Sequence, residues 1–296
     1  MNRGCQLGLV LCLVLSGTNA VNAGATGVSR NMTLIESKRN IQEAAENGQV
    51  VVSNNPKKGL GIYKNQRGFN PAQKLHLAWY YDWGIGPQKS VPSSVEFVPM
   101  VWGWYGDKSG KAAQTIAHLK TTLHARYLLG FNEPDNKTQS NLTVSKVLKA
   151  WPILMSSDLP LGAPGAVHAD DQWMQRFMAG AQSSGDRVDF VPIHWYGLPN
   201  ARAFLAYVRR VHDMYHKPVW ITEFANVDWS TRHQASKKFT SHDVAQFLRV
   251  VLPALNHMPY VMRYAWFTNR SPAFRASSLF HKDGSLTEAG RVYASE

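Results

Sequence analysis

Cysteine is nearly absent from this chain. There are two among 296 residues, Cys5 and Cys12, and both lie close to the N-terminus. The rest of the sequence can therefore form no disulfide, no thiolate metal site and no cysteine nucleophile. With 44% hydrophobic residues the chain can bury a core that needs no such staples. Several motifs are also missing. No H-E-x-x-H, G-x-S-x-G or P-loop occurs, and the eleven histidines do not cluster as ligands, so neither a metal nor a cofactor is expected. Gly59-Leu60-Gly61 is followed by Gly68 and Gly84-Ile85-Gly86 by Lys89, and neither completes the G-x-G-x-x-G of an open nucleotide-binding sheet. Acidic residues are scarce. There are 20, against 32 Lys and Arg, giving a formal net charge of +12. The basic residues are scattered, with only short pairs such as Lys57-Lys58 and Arg209-Arg210. That pattern suits weak attraction to anionic surface polymers, and specific nucleic-acid binding is not expected.

The N-terminus reads as a secretory leader. Arg3 supplies a positive start, Leu7 to Leu15 an apolar run too short to span a bilayer, and Val21-Asn22-Ala23 a cleavage site. A signal peptide over 1–23, an N-terminal arm over 24–58 and a secreted mature protein, extracellular or periplasmic, are expected. No later stretch is apolar enough to cross a membrane, and a monomer is expected.

From Gly59 onward one theme repeats. Eight short apolar runs alternate with helix-like stretches: Gly59–Lys64, Leu75–Trp83, Phe97–Trp102, Tyr127–Glu133, Leu161–Pro164, Val188–Tyr196, Val219–Phe224 and Val261–Phe267. Amphipathic segments such as Ala201–Tyr215 and Asp243–Leu255 lie between them. Eight strands alternating with helices predict an α/β protein, a single-domain (β/α)8 TIM barrel over 59–296.

In such a barrel the working groups sit at the C-terminal ends of the strands. The fourth run ends in Asn132-Glu133-Pro134, with proline stopping the strand. The seventh embeds Glu223 between Thr222 and Phe224, a costly place for a carboxylate that is neither paired nor functional. Strands 4 and 7 lie roughly opposite each other across an eight-stranded barrel, so both glutamates can face one cleft. Two facing carboxylates are what glycosidic-bond hydrolysis requires, with Asn132 placed to reach a sugar hydroxyl. A raised pKa is expected at Glu133 from burial or from the Glu223 charge. His194 or Tyr196 can hydrogen-bond the carboxylate on strand 7. Trp83, Trp102, Trp104, Trp195, Trp229 and Trp266 all fall at or just past predicted strand ends, joined by Tyr80, Tyr81, Tyr105 and Tyr196. Rings gathered at one end of a barrel suit the apolar faces of pyranoses.

Gly59-Leu60-Gly61 with Tyr63, Trp79-Tyr80-Tyr81-Asp82-Trp83, Gly130-Phe131-Asn132-Glu133-Pro134-Asp135, His194-Trp195-Tyr196 and Thr222-Glu223-Phe224-Ala225 together resemble glycoside hydrolase family 128. Its domain is also called the alkali-sensitive linkage protein-like glycosyl hydrolase catalytic core. The tail from Leu279-Phe280 to Ala289-Gly290 is similar to that family's closing segment. The resemblance implies a retaining endo-β-1,3-glucanase acting on β-1,3-glucan, with Glu133 as acid/base and Glu223 as nucleophile. Asn132, Tyr81, Asp82, Trp83, Trp102, His194, Tyr196 and Trp266 are the candidate substrate-binding residues. Asp82 stands where many relatives have asparagine. Two other readings remain open: a hydrolase of another β-glucan or a mannan, and a non-catalytic wall-glucan-binding protein.

Overall fold

The computed structural model describes residues 55–63, 70–229, 238–269 and 274–296. The chain divides into two units, Met1–Val51 and Val52–Glu296. The expected leader and most of the expected arm lie outside the described residues.

Six strands form one parallel sheet: β1 (Lys58–Gly61), β2 (Trp79–Tyr81), β3 (Glu96–Phe97), β4 (Val191–Gly197), β5 (Val219–Asn226) and β6 (Val261–Phe267), in the order β3-β2-β1-β6-β5-β4. Single parallel bridges carry the contact onward from β3. Met100 pairs with Leu129, Leu128 with Leu161, Asn132 with Gly165, and Gly162 with Phe190 just before β4. Eight parallel segments thus follow one another round a ring, the (β/α)8 arrangement. The fourth and fifth, 128–132 and 161–165, are bridges and not ladders. Pro99, Pro134, Pro160 and Pro164 offer no N–H there. The Leu161 N–H turns instead to Asp189 Oδ2 at 2.7 Å.

Strand alternation fills the inside of the ring. Trp79, Tyr81, Val98, Met100, Leu129, Phe190, Trp220 and Ala265 form one buried cluster there. Position 59 is glycine because a Cβ there would lie 2.3 Å from Trp79 Cε2. Arg263 lies 4.7 Å over both the Tyr127 and Trp220 rings and pairs with Glu96 at 2.7 Å.

The helices are α1 (Pro71–Lys74), α2 (Lys111–Ala117), α3 (Leu119–Thr122), α4 (Val144–Met155), α5 (Gln172–Ser184), α6 (Ala201–Tyr215), α7 (Ser241–His257) and α8 (Glu288–Ser295). Helix α6 has the bounds its apolar period predicts and buries Phe204, Tyr207, Val208 and Val211 on one stripe. Helix α7 starts on a capping box between Thr240 and Asp243. Two lysines tie the strand starts to helix ends. Lys57 Nζ donates to the carbonyls of Leu255, Asn256 and Met258 at 3.2, 3.0 and 2.9 Å, and Lys58 Nζ to Ala294 at 3.1 Å. Among the described residues no helix is long and apolar enough to cross a membrane.

Candidate active site

Glu133 and Glu223 meet at the C-terminal end of the ring. One oxygen of each and a nitrogen of His194 lie within 4.8 Å of one another, and all three residues are buried. Glu133 follows segment 128–132 with φ of 39°, a left-handed value unusual for glutamate. Its N–H is held by the Gly165 carbonyl at 2.7 Å, and it opens a turn in which the Asn136 N–H returns to the Glu133 carbonyl at 3.0 Å. Backbone strain of this kind persists where surrounding bonds over-determine it. Glu223 sits within β5, every residue of which is buried. A register shift between Ile193 and His194 brings His194 opposite Glu223.

Every carboxylate oxygen of the pair accepts a hydrogen bond. His194 Nδ1 lies 3.0 Å from Glu133 Oε1 and 3.6 Å from Glu223 Oε2. Asn136 Nδ2 donates to Glu133 Oε2 at 2.9 Å. Trp83 Nε1 and the Tyr81 hydroxyl donate to Glu223 Oε1 at 2.7 and 3.2 Å, and the Tyr196 hydroxyl donates to Oε2. Gly165 leaves room for the histidine, since a Cβ there would lie 3.0 Å from His194 Nε2. Among the described residues Glu133, His194 and Glu223 are the group whose ligand atoms converge. A cation there would have to displace donors that already satisfy both carboxylates.

The electrostatics correct one expectation. Burial pushes the Glu133 carboxyl up, but the hydrogen bond and charge of His194, with help from Asn136 and His168, outweigh it and hold the pKa below its ordinary value. Burial pushes His194 down, and the charges of Glu223 and Glu133 together with the Glu133 hydrogen bond reverse that and raise it. Both shifts favour the ionised forms, a carboxylate facing an imidazolium. Tyr81 and Tyr196 are raised well above their ordinary value, first by burial and then by Glu223, so both stay hydroxyl donors.

Around the carboxylates opens a cleft of about 790 Å³. Trp83, Trp102, Asp82, Asn132 and Tyr196 line it, as do Trp229, Tyr63, Phe267 and Phe274. Trp83 (φ 58°) packs 5.0 Å from Tyr63 and 5.6 Å from Phe267, ring centroid to centroid. Asp82 Oδ1 accepts the Gly84 N–H at 3.1 Å. Asn132 Oδ1 is buried with no partner among the described residues. Asp135 holds the cleft-lining loop by accepting the Val167 N–H at 3.1 Å.

Six of the ten named rings do not line the cleft. Tyr81 is fully buried and reaches the site only through its hydroxyl on Glu223, Tyr80 lies in the core, and Trp104 and Tyr105 line a neighbouring cavity. Trp266 is fully buried, donates to the Ser277 carbonyl at 2.8 Å and packs edge-on to Phe224, so it lines no cleft. Trp195 packs outward against Phe204 and Tyr207. Their neighbours Phe267 and Tyr196 are the ones that face the cleft. Asn136, His168, Phe267 and Phe274 are cleft residues that the sequence reading did not assign. Only Asn136 carried a signal, since it lies three residues beyond Glu133 at a Pro-Asp turn.

A (β/α)8 ring with paired carboxylates at its C-terminal mouth defines a glycoside-hydrolase type of site, and residues 59–293 match the glycosyl hydrolase catalytic core. The chain belongs to glycoside hydrolase family 128. A family 128 subgroup I endo-β-1,3-glucanase from Amycolatopsis mediterranei, solved with laminaritriose, is 31% identical with a TM-score of 0.71, over 81% of this chain and 99% of that one. A subgroup III curdlan-specific exo-β-1,3-glucanase from Blastomyces gilchristii, solved with glucose, is 28% identical with a TM-score of 0.62, over 81% and 98%. Alkali-sensitive linkage protein 1 of Schizosaccharomyces pombe is 26% identical over 230 residues. The match covers 74% of this chain and 40% of that longer protein.

Proposed function

We propose that the protein is a secreted, retaining endo-β-1,3-glucanase. The observation that carries the retaining mechanism is the closeness of the two carboxylates, and the β-1,3-glucan substrate is the one that the Amycolatopsis relative supports. Oxygens of Glu133 and Glu223 approach within 4.8 Å. Inverting enzymes hold the two carboxyl groups about 6.5–9.5 Å apart to seat a water between them and retaining ones about 5–5.5 Å, and an approach of single oxygens to within 4.8 Å suits the closer arrangement. In this reading Glu223 attacks the anomeric carbon, its carboxylate aligned by Trp83, Tyr81 and Tyr196. Glu133 protonates the departing oxygen and then deprotonates the water that releases the sugar. Asn132, whose carboxamide oxygen is unpartnered, receives a hydroxyl of the sugar at the reacting centre. The exposed rims Tyr63 and Trp229 suit an open groove that takes a chain in mid-length. Secretion rests on the leader, and a monomer is the expected state.

An exo-acting enzyme is the reading the Blastomyces relative favours, and a glucan-binding protein without turnover is the other. Incubation with laminarin separates them. The endo reading expects a rapid fall in polymer length with few reducing ends released, and NMR of the first product expects the β-anomer. Glucose as the sole early product, an α-anomer first, or binding without cleavage would each reject it.

A further inference from the structure

Next to the cleft lies a second cavity of about 420 Å³. The two share their walls. Trp102 and Gln139 face the cleft, while Trp104, Tyr105 and Asn141 from the same two loops face the second cavity. Its other side is helix α4, with Lys146, Lys149 and Ile153 on one face at spacings of three and four.

Two features give this cavity a chemistry of its own. Tyr105 is 70% exposed, yet its ring is fixed, because its hydroxyl donates to the Ser140 carbonyl at 2.9 Å. Gly103 makes that pose possible, since a Cβ would lie 2.9 Å from the Tyr105 hydroxyl oxygen. A rigid, solvent-facing ring beside Trp104 is a stacking platform that loses little entropy on binding. The charge is all of one sign. Lys146 and Lys149 line the cavity, no carboxylate does, and the first turn of α4 holds no acidic residue.

We propose that this cavity is a second glycan site that takes an acidic polysaccharide. A sugar ring stacks on Tyr105 beside Trp104, and a carboxylate on that chain meets Lys146 and Lys149. A neutral glucan would use the rings and leave both cations unanswered, which is why the occupant is anionic. The site would hold the protein against acidic polymers while the neighbouring cleft handles a different chain.

The probe is a fluorescently labelled oligomer of β-1,3-linked glucuronic acid, with laminarihexaose as the neutral counterpart, titrated against the full chain by anisotropy. We expect the acidic oligomer to bind with an affinity that falls with salt. Tyr105→Ala, and separately the pair Lys146→Gln with Lys149→Gln, should each weaken it about tenfold, roughly the worth of one stacked ring or of two exposed ion pairs together. Tyr105→Phe, which keeps the ring, should stay within about twofold and guards against a folding artefact. Turnover of short laminari-oligosaccharides should be unchanged in all of them, and Glu223→Gln should bind the acidic oligomer as the parent does. That last arm stands whether or not the glucanase reading does. Loss through the lysines but not through Tyr105 would mean simple ionic adsorption and overturn the site. Weakening of laminarihexaose binding by Tyr105→Ala, with the lysine pair silent, would make the cavity a glucan subsite and overturn it equally.

Discussion

At the scale of single residues, the proton shared by Glu133 and His194 decides how the site works. A carboxyl held below its ordinary value is deprotonated at neutral pH, yet an acid catalyst must carry a proton when the leaving group departs. The nearest group that can supply one is the His194 imidazole, whose Nδ1 lies 3.0 Å from Glu133 Oε1. The two groups titrate as a pair. The pair loses its last proton at the raised value of the histidine, above about 6.5, and activity should fall there on the alkaline side. His194→Asn removes the cation that lowers Glu133. The alkaline limb of kcat/KM on laminarihexaose should then move to lower pH, into the carboxyl range, and an unmoved limb would show that the histidine does not supply the proton. For stability the signs are separate. The depressed Glu133 contributes above its unfolded value and loses this as pH falls through its folded one. The raised His194 contributes below its unfolded value and loses this as pH rises through its folded one. Glu133→Gln itself should cost roughly 10²- to 10⁴-fold on natural glucan, and less on aryl glycosides, whose leaving groups need little protonation. Equal losses on both substrates would argue against the acid role.

Elements decide which side chains reach that proton. Trp83 reaches Glu223 because β1 gives way to it, a Cβ on Gly61 lying 2.8 Å from Trp83 Cη2. Gly61→Ala should shift the indole, break its bond to Glu223 Oε1 and lower kcat/KM at least about tenfold, since a hydrogen bond to a charged group contributes about 1.5–3 kcal/mol. Gly86→Ala, whose Cβ would meet nothing within 4 Å, is the control and should be silent. Steady-state kinetics with both proteins shown folded by circular dichroism checks this, and equal rates would remove Trp83 from the support of the nucleophile. The same element logic explains what the sequence made legible. Eight apolar runs were visible because each strand is short and bounded, and Glu133 and Glu223 stood out as acids at the ends of two of them. Helix α6 could be read to the residue because its apolar stripe and its Asn200 cap agree. The facing of the strand-end rings was not legible. Neighbours on a strand point to opposite faces, so a one-residue error in phase exchanges cleft for core. That is how Trp266 came to be expected where Phe267 lies, and how Trp195 was named along with its neighbour Tyr196, of which only Tyr196 faces the cleft. The lowered Glu133 was hidden for another reason. It depends on a histidine sixty-one positions away, brought near only by the closing of the ring.

Across the whole molecule the two ends of the ring do different work, chemistry at the C-terminal ends of the strands and anchoring at the N-terminal ends. Lys58 is the clearest anchor. It is 1% exposed, and its ammonium serves the last carbonyls of α8, Tyr293 at 3.3 Å and Ala294 at 3.1 Å. Burial lowers its pKa from 10.5 to about 7, against an opposing pull from Glu296. Between those two values the unfolded chain holds a proton that the native one has released, so this group's contribution to stability rises with pH across that window. Below about 7 both states are protonated and the cost of burying the charge stands in full. The overall charge of +12 also acts on the pH dependence, because self-repulsion eases as lysines elsewhere neutralise, but it acts almost equally on a variant that differs at one position. Lys58→Met keeps the length and removes the titration. The melting temperature of the parent relative to Lys58→Met should therefore climb in the parent's favour between about pH 6.5 and about pH 9.5, measured by calorimetry at fixed ionic strength. A difference that stays flat over that range would mean that Lys58 keeps its proton throughout and that the carbonyls of α8 hold it as a full cation.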